Sequence, residues 1–265
     1  MNMNKKVGIV VPTIGQRPEY LPLALQSIRD SGNAYILLVG NKGFDSSALL
    51  ARGLIDKYLD EQDPSLAAKI NYGFSRLPSE IRFINWLGDD DLLTPGSMNI
   101  ALERITQSDN PVLVYGGCEY IDPKGARLFV NKSGSWAVPL LRFGPQLIPQ
   151  PGALYNREVF EQIGGLNTKY QLAFDFDLFY SLSKVGKAVF VPKVLAKFRW
   201  HPSSLSVSKR RQSVAEASEV RVSHLTWGLG YVAQIWEFPT RFLTLLAGRV
   251  VSRKFKLDQP TSVDL

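Results

Sequence analysis

One cysteine and two histidines occur in 265 residues. With Cys118 alone, an intrachain disulfide and a cysteine-based zinc site are both excluded. Long apolar runs are also scarce. The uncharged stretch Val222 to Trp236 falls short of the roughly 18–20 residues that a membrane-spanning helix needs, so none is expected. The apolar residues after Lys5 and Lys6 stop at Pro12, too few for the core of a signal peptide. No internal repeat is found, and 21 glycines with 16 prolines indicate no low-complexity class. What remains is a globular composition, 45% hydrophobic and 21% charged, in a chain able to bury a sizeable core.

The net charge of +7 is unevenly spread. Residues 209–265 carry nine basic and five acidic side chains and hold +4 of it. The body is nearly balanced, which argues against a nucleic-acid-binding face and against nucleic acid as a partner.

Val7–Val11 is a continuous β-branched run, read as a buried parallel strand that ends at Pro12-Thr13-Ile14-Gly15. Leu21, Ala24, Leu25 and Ile28 recur at helical spacing before Gly32. Tyr35–Val39 is a second strand, and Asp45 or Ser46 caps a helix expected to run to about Leu59. Ile81–Leu87 is a third strand, followed by a helix marked by Met98, Ala101, Leu102 and Ile105, then a strand at Val112–Tyr115. Further on, Arg157–Ile163 and Asp175–Lys184 read as helices, and Ala188–Val191 and Val194–Phe198 as two strands. This alternation predicts a mostly parallel sheet flanked by helices, whose strand-end loops at 12–17, 40–45 and 88–91 converge on one crevice. Residues 131–152, rich in proline and glycine, form a long loop of the kind that is usually functional.

Three clusters carry chemistry. Asp89-Asp90-Asp91 follows a buried strand, where adjacent carboxylates repel unless a cation or a helix N-terminus offsets them. Hard divalent cations take oxygen ligands, often only one or two from protein. Asp175 and Asp177 flank Phe176 at a helix start; they are either helix caps or a general base with a raised pKa. His201, in Arg199-Trp200-His201-Pro202, follows a strand and is either structural or a ligand.

Taken together and in order, these clusters resemble the family-2 glycosyltransferases of bacterial type. The likeness spans about residues 5–207. It rests on Val10-Val11-Pro12-Thr13 with Arg17-Pro18-Glu19-Tyr20-Leu21, on Asn71-Tyr72-Gly73, and on Trp86-Leu87-Gly88-Asp89-Asp90-Asp91. Gly164-Gly165-Leu166 with Phe174-Asp175-Phe176-Asp177-Leu178, and Phe198-Arg199-Trp200-His201-Pro202-Ser203, complete it. The resemblance implies a GT-A, Rossmann-like α/β fold over residues 1–208; the residue pattern beyond it reads as a C-terminal amphipathic helical extension over 209–265. It also implies a metal-dependent inverting glycosyltransferase using a UDP-, dTDP- or GDP-linked sugar, a hydroxyl on a glycan or lipid-linked acceptor, and a role in surface polysaccharide synthesis.

On this resemblance Pro12, Thr13, Arg17, Asn41, Asn71, Asp89 and Asp90 bind the donor. Asp90, Asp91 and His201 hold Mn²⁺ or Mg²⁺, which neutralises the leaving diphosphate as a Lewis acid. Asp175, or in second place Asp177, takes the acceptor proton. The chain has Gly40-Asn41 where the family commonly carries an Asp, and Gly88 where its acidic motif often begins with one.

Leu225–Phe238 and Arg241–Lys256 are two amphipathic helix candidates. The second bears five basic residues and no acid, which suits either an anionic membrane surface or packing on the domain. The expected location is cytoplasmic, with peripheral attachment to the inner membrane face as the variant. Two rivals remain: a nucleotidyltransferase, and a sugar-nucleotide or glycan-binding module without catalysis.

Overall fold

The computed structural model describes residues 6–61, 63–107, 109–131, 133–141, 144–201, 204, 209–225, 239–246 and 249–250. Its strands are β1 Val7–Pro12, β2 Ala34–Gly40, β3 Lys57–Asp60, β4 Phe83–Trp86, β5 Leu92–Leu93, β6 Leu113–Ile121, β7 Arg127–Asn131, β8 Leu154–Asn156 and β9 Ala188–Arg199. Its helices are α1 Leu21–Ser31, α2 Ser47–Ala51, α3 Leu66–Ser75, α4 Ser97–Ile105, α5 Ala137–Leu140, α6 Arg157–Gln162, α7 Phe174–Val185 and α8 Arg210–His224.

One sheet in the order β3-β2-β1-β4-β8-β6-β9-β5, with β7 on β6, runs through the molecule. The β3-β2-β1-β4 half is parallel throughout, and β6 runs parallel to β9. The ladders made by β8, β7 and β5 are antiparallel. Most paired positions therefore lie in parallel ladders, as the strand–helix alternation predicts.

Strand residues alternate between two apolar layers, following the period of two that a pleated strand imposes. Ile9 and Val11 pack with α1 and α4, whereas Val10 packs with α3 on the other face, where α6 and α7 also lie. Helix α1 buries Leu21, Ala24, Leu25 and Ile28, the stripe read from the sequence. Ser65 caps α3 by accepting from Ala68 N, and Asn156 caps α6 by accepting from Val159 N.

Three expectations need correction. The helix expected from Asp45 or Ser46 to about Leu59 is only Ser47–Ala51. Gly53 then takes φ +65°, Asp56 accepts from Ile36 N, and Lys57–Asp60 turns into an edge strand on β2. The two strands expected at 188–191 and 194–198 are one strand. Pro192 lacks a donor, so β9 bulges there against Gly116 and Gly117 and then continues. The 131–152 loop contains the single turn α5. The candidate helix Leu225–Phe238 lies, apart from Leu225, outside the described residues.

The bulge leaves no room at Gly116, where a Cβ would sit 2.6 Å from the Lys193 carbonyl oxygen and 2.5 Å from the Leu195 side chain. Gly116→Ala should therefore cost about 1–3 kcal/mol in urea unfolding, because backbone on one side cannot yield.

Candidate functional site

Strands β2, β1 and β4 are neighbours and end together, which brings three distant loops side by side. Thr13 N bonds the Val39 carbonyl, and Thr13 Oγ1 donates to Asp89 Oδ2 at 2.6 Å. Arg17 Nη1 lies 2.9 Å from Asp89 Oδ1 and 2.8 Å from Asp90 Oδ2. Asn41 also stands at this edge, its Oδ1 accepting from Lys69 Nζ at 2.6 Å and its carbonyl from the Tyr58 hydroxyl. Pro12 ends β1 directly before Thr13.

The three consecutive carboxylates are all buried, at 5%, 8% and 5% exposure. The return strand β9 supplies their second set of partners. Arg199 N donates to Asp91 Oδ1, Arg199 Nε to the Asp90 carbonyl, and His201 Nε2 lies 2.7 Å from Asp90 Oδ2. Arg199 is itself buried. It donates through Nη1 to the carbonyls of Asp122 and Pro123, and its guanidinium lies 4.4 Å from the Tyr20 ring centroid.

Burial raises the pKa of Asp91 well above the carboxylate range, and the charge of Asp90 raises it further. Asp89 is raised by burial as well, against the opposing pull of Thr13 and Arg17. For Arg17 burial works against the charge, yet Asp90 and Asp89 hold its pKa above the ordinary value.

Gly88 explains where spare oxygens converge. A Cβ at this position would lie 2.9 Å from Asp90 Oδ1 and 3.1 Å from Asp91 Oδ2, the two oxygens turned away from Arg17, His201 and Arg199 N. The bare Cα thus leaves a cradle between two carboxylates whose repulsion a cation relieves, and two oxygens are what Mg²⁺ or Mn²⁺ commonly takes from protein. Among the described residues, no three His, Cys, Asp or Glu side chains form a metal-holding group by themselves.

Asp91 and Asp175, 84 positions apart in sequence, line one cavity of about 360 Å³. Tyr120, Phe198 and Trp200 form an aromatic side of it, and Asn131, Gln146 and Gln150 contribute amides. Asp175 sits in the first turn of α7, half-buried, with Oδ1 accepting from Phe176 N and Oδ2 from Gln146 Nε2 at 3.1 Å. Burial raises its pKa to about 6, against the opposing effect of those two bonds.

Two expected residues stand apart from this group. Asp177 is turned to α8, where its Oδ1 is 2.8 Å from His224 Nε2, and it does not line the cavity. Asn71 uses both ends of its amide on Leu166, accepting from Leu166 N and donating to its carbonyl, which clamps the Gly164-Gly165 turn. Sequence reasoning missed Gln146, Gln150 and the α8 side of the cavity. Only the proline-rich character of 131–152 pointed toward the first two.

No protein-family model matches the chain. In sequence it is 26% identical over 210 residues to an uncharacterized glycosyltransferase of Rickettsia felis, a match covering 74% of this chain. The chain spans about a third of the length of the curated relatives it matches. In structure it is similar to TarS 1–349 of S. aureus (TM-score 0.61, 11% identity, 89% of this chain and 71% of that one). It is also similar to mannosyltransferase PcManGT from Pyrobaculum calidifontis in complex with GDP-Man and Mn²⁺ (TM-score 0.60, 14% identity, 96% of this chain and 79% of that one). The fold is accordingly GT-A-like, and the likenesses in sequence and in structure both run to glycosyltransferases.

Independently of those likenesses, Arg199→Lys should lower stability by about 1–3 kcal/mol in thermal unfolding. A lysine cannot reproduce the fork that reaches Asp90, Asp122 and Pro123 at once.

Proposed function

We propose that the chain is a metal-dependent inverting glycosyltransferase that moves a sugar from a UDP-, dTDP- or GDP-linked donor to a hydroxyl of a glycan or lipid-linked acceptor in surface polysaccharide synthesis. The observation that carries this reading is the pairing of Asp91 and Asp175 on one cavity, the first beside the carboxylate cradle and the second poised to titrate near pH 6. The glycosyltransferase relatives, and the GDP-Man and Mn²⁺ of PcManGT, support the substrate class and the metal.

Asp90 and Asp91 would hold Mn²⁺ or Mg²⁺, with His201 fixing Asp90 from behind or joining as a ligand. Bound there, the ion supplies Lewis-acid stabilisation of the charge that develops on a leaving diphosphate. Thr13 and Arg17 orient Asp89 toward the donor end of the crevice, beside Asn41 at the end of β2. Asp175 Oδ2 accepts the proton of the attacking hydroxyl, and Gln146 holds that oxygen in place. One base acting on a direct displacement inverts the anomeric centre. The enclosing aromatic side chains keep water from competing with the acceptor.

Exposed Phe242, Leu243, Leu246 and Val250 beside Arg241 and Arg249 support contact of this segment with an anionic membrane, and hence a cytoplasmic, peripheral location. Among the described residues no helix is long and apolar enough to cross a membrane. Flotation with phosphatidylglycerol vesicles should carry the protein up at low salt, and Phe242→Ser with Leu243→Ser should abolish it.

Asp175→Asn should lower kcat by about 10²–10⁴-fold, and the wild-type kcat/KM should climb with pH through about 6 to a plateau. Stability should move the other way. A carboxylate whose folded pKa is raised destabilises the fold above that pKa. Asp175→Asn should thus gain about 1–2 kcal/mol in thermal unfolding above pH 6, a shift reduced because the group faces the cavity, and the gain should fade toward pH 4. Gly88→Ala should fill the cradle. It should leave the metal-free melting temperature near that of the wild type and remove most of the upward shift that Mn²⁺ gives. An equal Mn²⁺ shift in both proteins would place the ion elsewhere.

A further inference from the structure

Helix α8 follows the 5–207 segment that carries the sequence motifs, and its composition gives it no broad apolar stripe. It nevertheless grips the cavity. Arg210, Ser213 and Ala217 line it, and two longer side chains reach past the wall. Glu216 Oε2 accepts from Leu172 N at 2.7 Å and from Ala173 N at 3.0 Å. These two amides lead directly into α7, whose second residue is Asp175. Five residues on, Arg221 is buried at 2% exposure, donates Nη1 to the Gly144 carbonyl at 3.0 Å, and sets its guanidinium 5.6 Å from the Phe176 ring centroid.

Each grip falls on one partner of a single bond. Glu216 holds the entry to the helix that carries Asp175. Arg221 holds Gly144, two residues before Gln146, which donates to Asp175. A carboxylate at the N-terminus of α7 also meets exposed amides and the positive end of the helix dipole, which favours its charged form there. At the far end of α8, His224 is tied to Asp177 and stacks on Tyr180, so the two helices are joined along their length.

We propose that α8 is a brace for the reacting carboxylate, with Glu216 and Arg221 as positioning residues that hold Asp175 and Gln146 in register across the cavity. The inference rests on the reading of Asp175 as the base. A helix beyond the motif-bearing segment then sets how well that base is aimed. The charged and titratable groups around Asp175 are Asp91, Arg210, Cys118 and Tyr120 on the same cavity, Tyr155 close enough to feel its charge, and Glu216 at the entry to α7; Arg221 lies behind Phe176, and Asp177 is on the opposite face of α7 beside His224.

The test uses the full chain with carboxyl-¹³C aspartate, the Asp175 resonance being assigned by its loss in Asp175→Asn. The titration midpoint of Asp175 and the steady-state kcat and donor KM are measured for wild type, Glu216→Ala and Glu216→Gln, at temperatures well below each melting point. Bracing predicts that Glu216→Ala lowers the midpoint from about 6 toward the ordinary carboxylate value, because the loosened α7 entry admits water. It also predicts that kcat falls at least tenfold while donor KM changes less than threefold. Glu216→Gln keeps an acceptor oxygen for the two amides and should recover most of both.

A melting temperature that falls while the midpoint and kcat stay at wild-type values would overturn the brace and leave Glu216 as a packing contact. A moved midpoint in a protein that transfers no sugar would uphold the brace and overturn the transfer reading instead. Arg221→Met, which keeps the buried volume and removes the Gly144 bond, gives the second variant: bracing predicts the same direction of change, and wild-type values would count against it.

Discussion

Three carboxylates on consecutive residues, buried at the end of β4, are the constraint around which the rest of the crevice is arranged. Removing even one charge from water is costly unless it is paired or hydrogen-bonded. Here Thr13 and Arg17 come from the loop after β1, and Arg199 and His201 from the end of β9. Those contacts tie the loop after β1 and the end of β9 to the same acidic loop. They bond Asp89 and one oxygen each of Asp90 and Asp91, and leave the other two oxygens both close beside Gly88. The protein thus retains a local deficit of positive charge beside Gly88.

Much of this was legible in the sequence because the relevant signals are local. Val7–Val11 is buried on both faces of a parallel sheet, and such strands read as unbroken apolar runs. The acidic triplet was visible because three adjacent acids directly after a buried strand need an offsetting partner, whereas Asp175 at a helix start also reads as an ordinary cap and stood out only through the motif around it. Gly88 read only as a departure from the family pattern. Its meaning is geometric, since the missing Cβ makes space between two side chains that follow it.

What was not legible depends on distant partners. Lys57–Asp60 is a short, half-exposed edge strand whose pattern is also that of a helix end, and β2 alone decides the matter. The helix α8 buries Val214, Ser218, Val220 and Arg221, a set in which apolar periodicity is diluted by a serine and an arginine. Its contacts with Leu172 and Ala173 span more than forty positions, and nothing local announces them. Asn71 drew a ligand-binding reading from its place in a matching motif; its amide also closes a turn at Leu166, which local sequence did not announce.

The separation of 108 positions between Asp91 and its backbone donor Arg199 also bears on how the chain is made. At about 5–20 residues per second, the acidic loop leaves the ribosome roughly 5–20 s before β9 exists to meet it. Through that interval β1 can already supply Thr13 and Arg17, but the far side of the loop stays open to water. The far side of the acidic loop can therefore be covered only once β9 is made, and docking of β9 on β6 brings Arg199 and His201 to Asp91 and Asp90 together. The order of synthesis delays the most costly burial until the residues that compensate it are present.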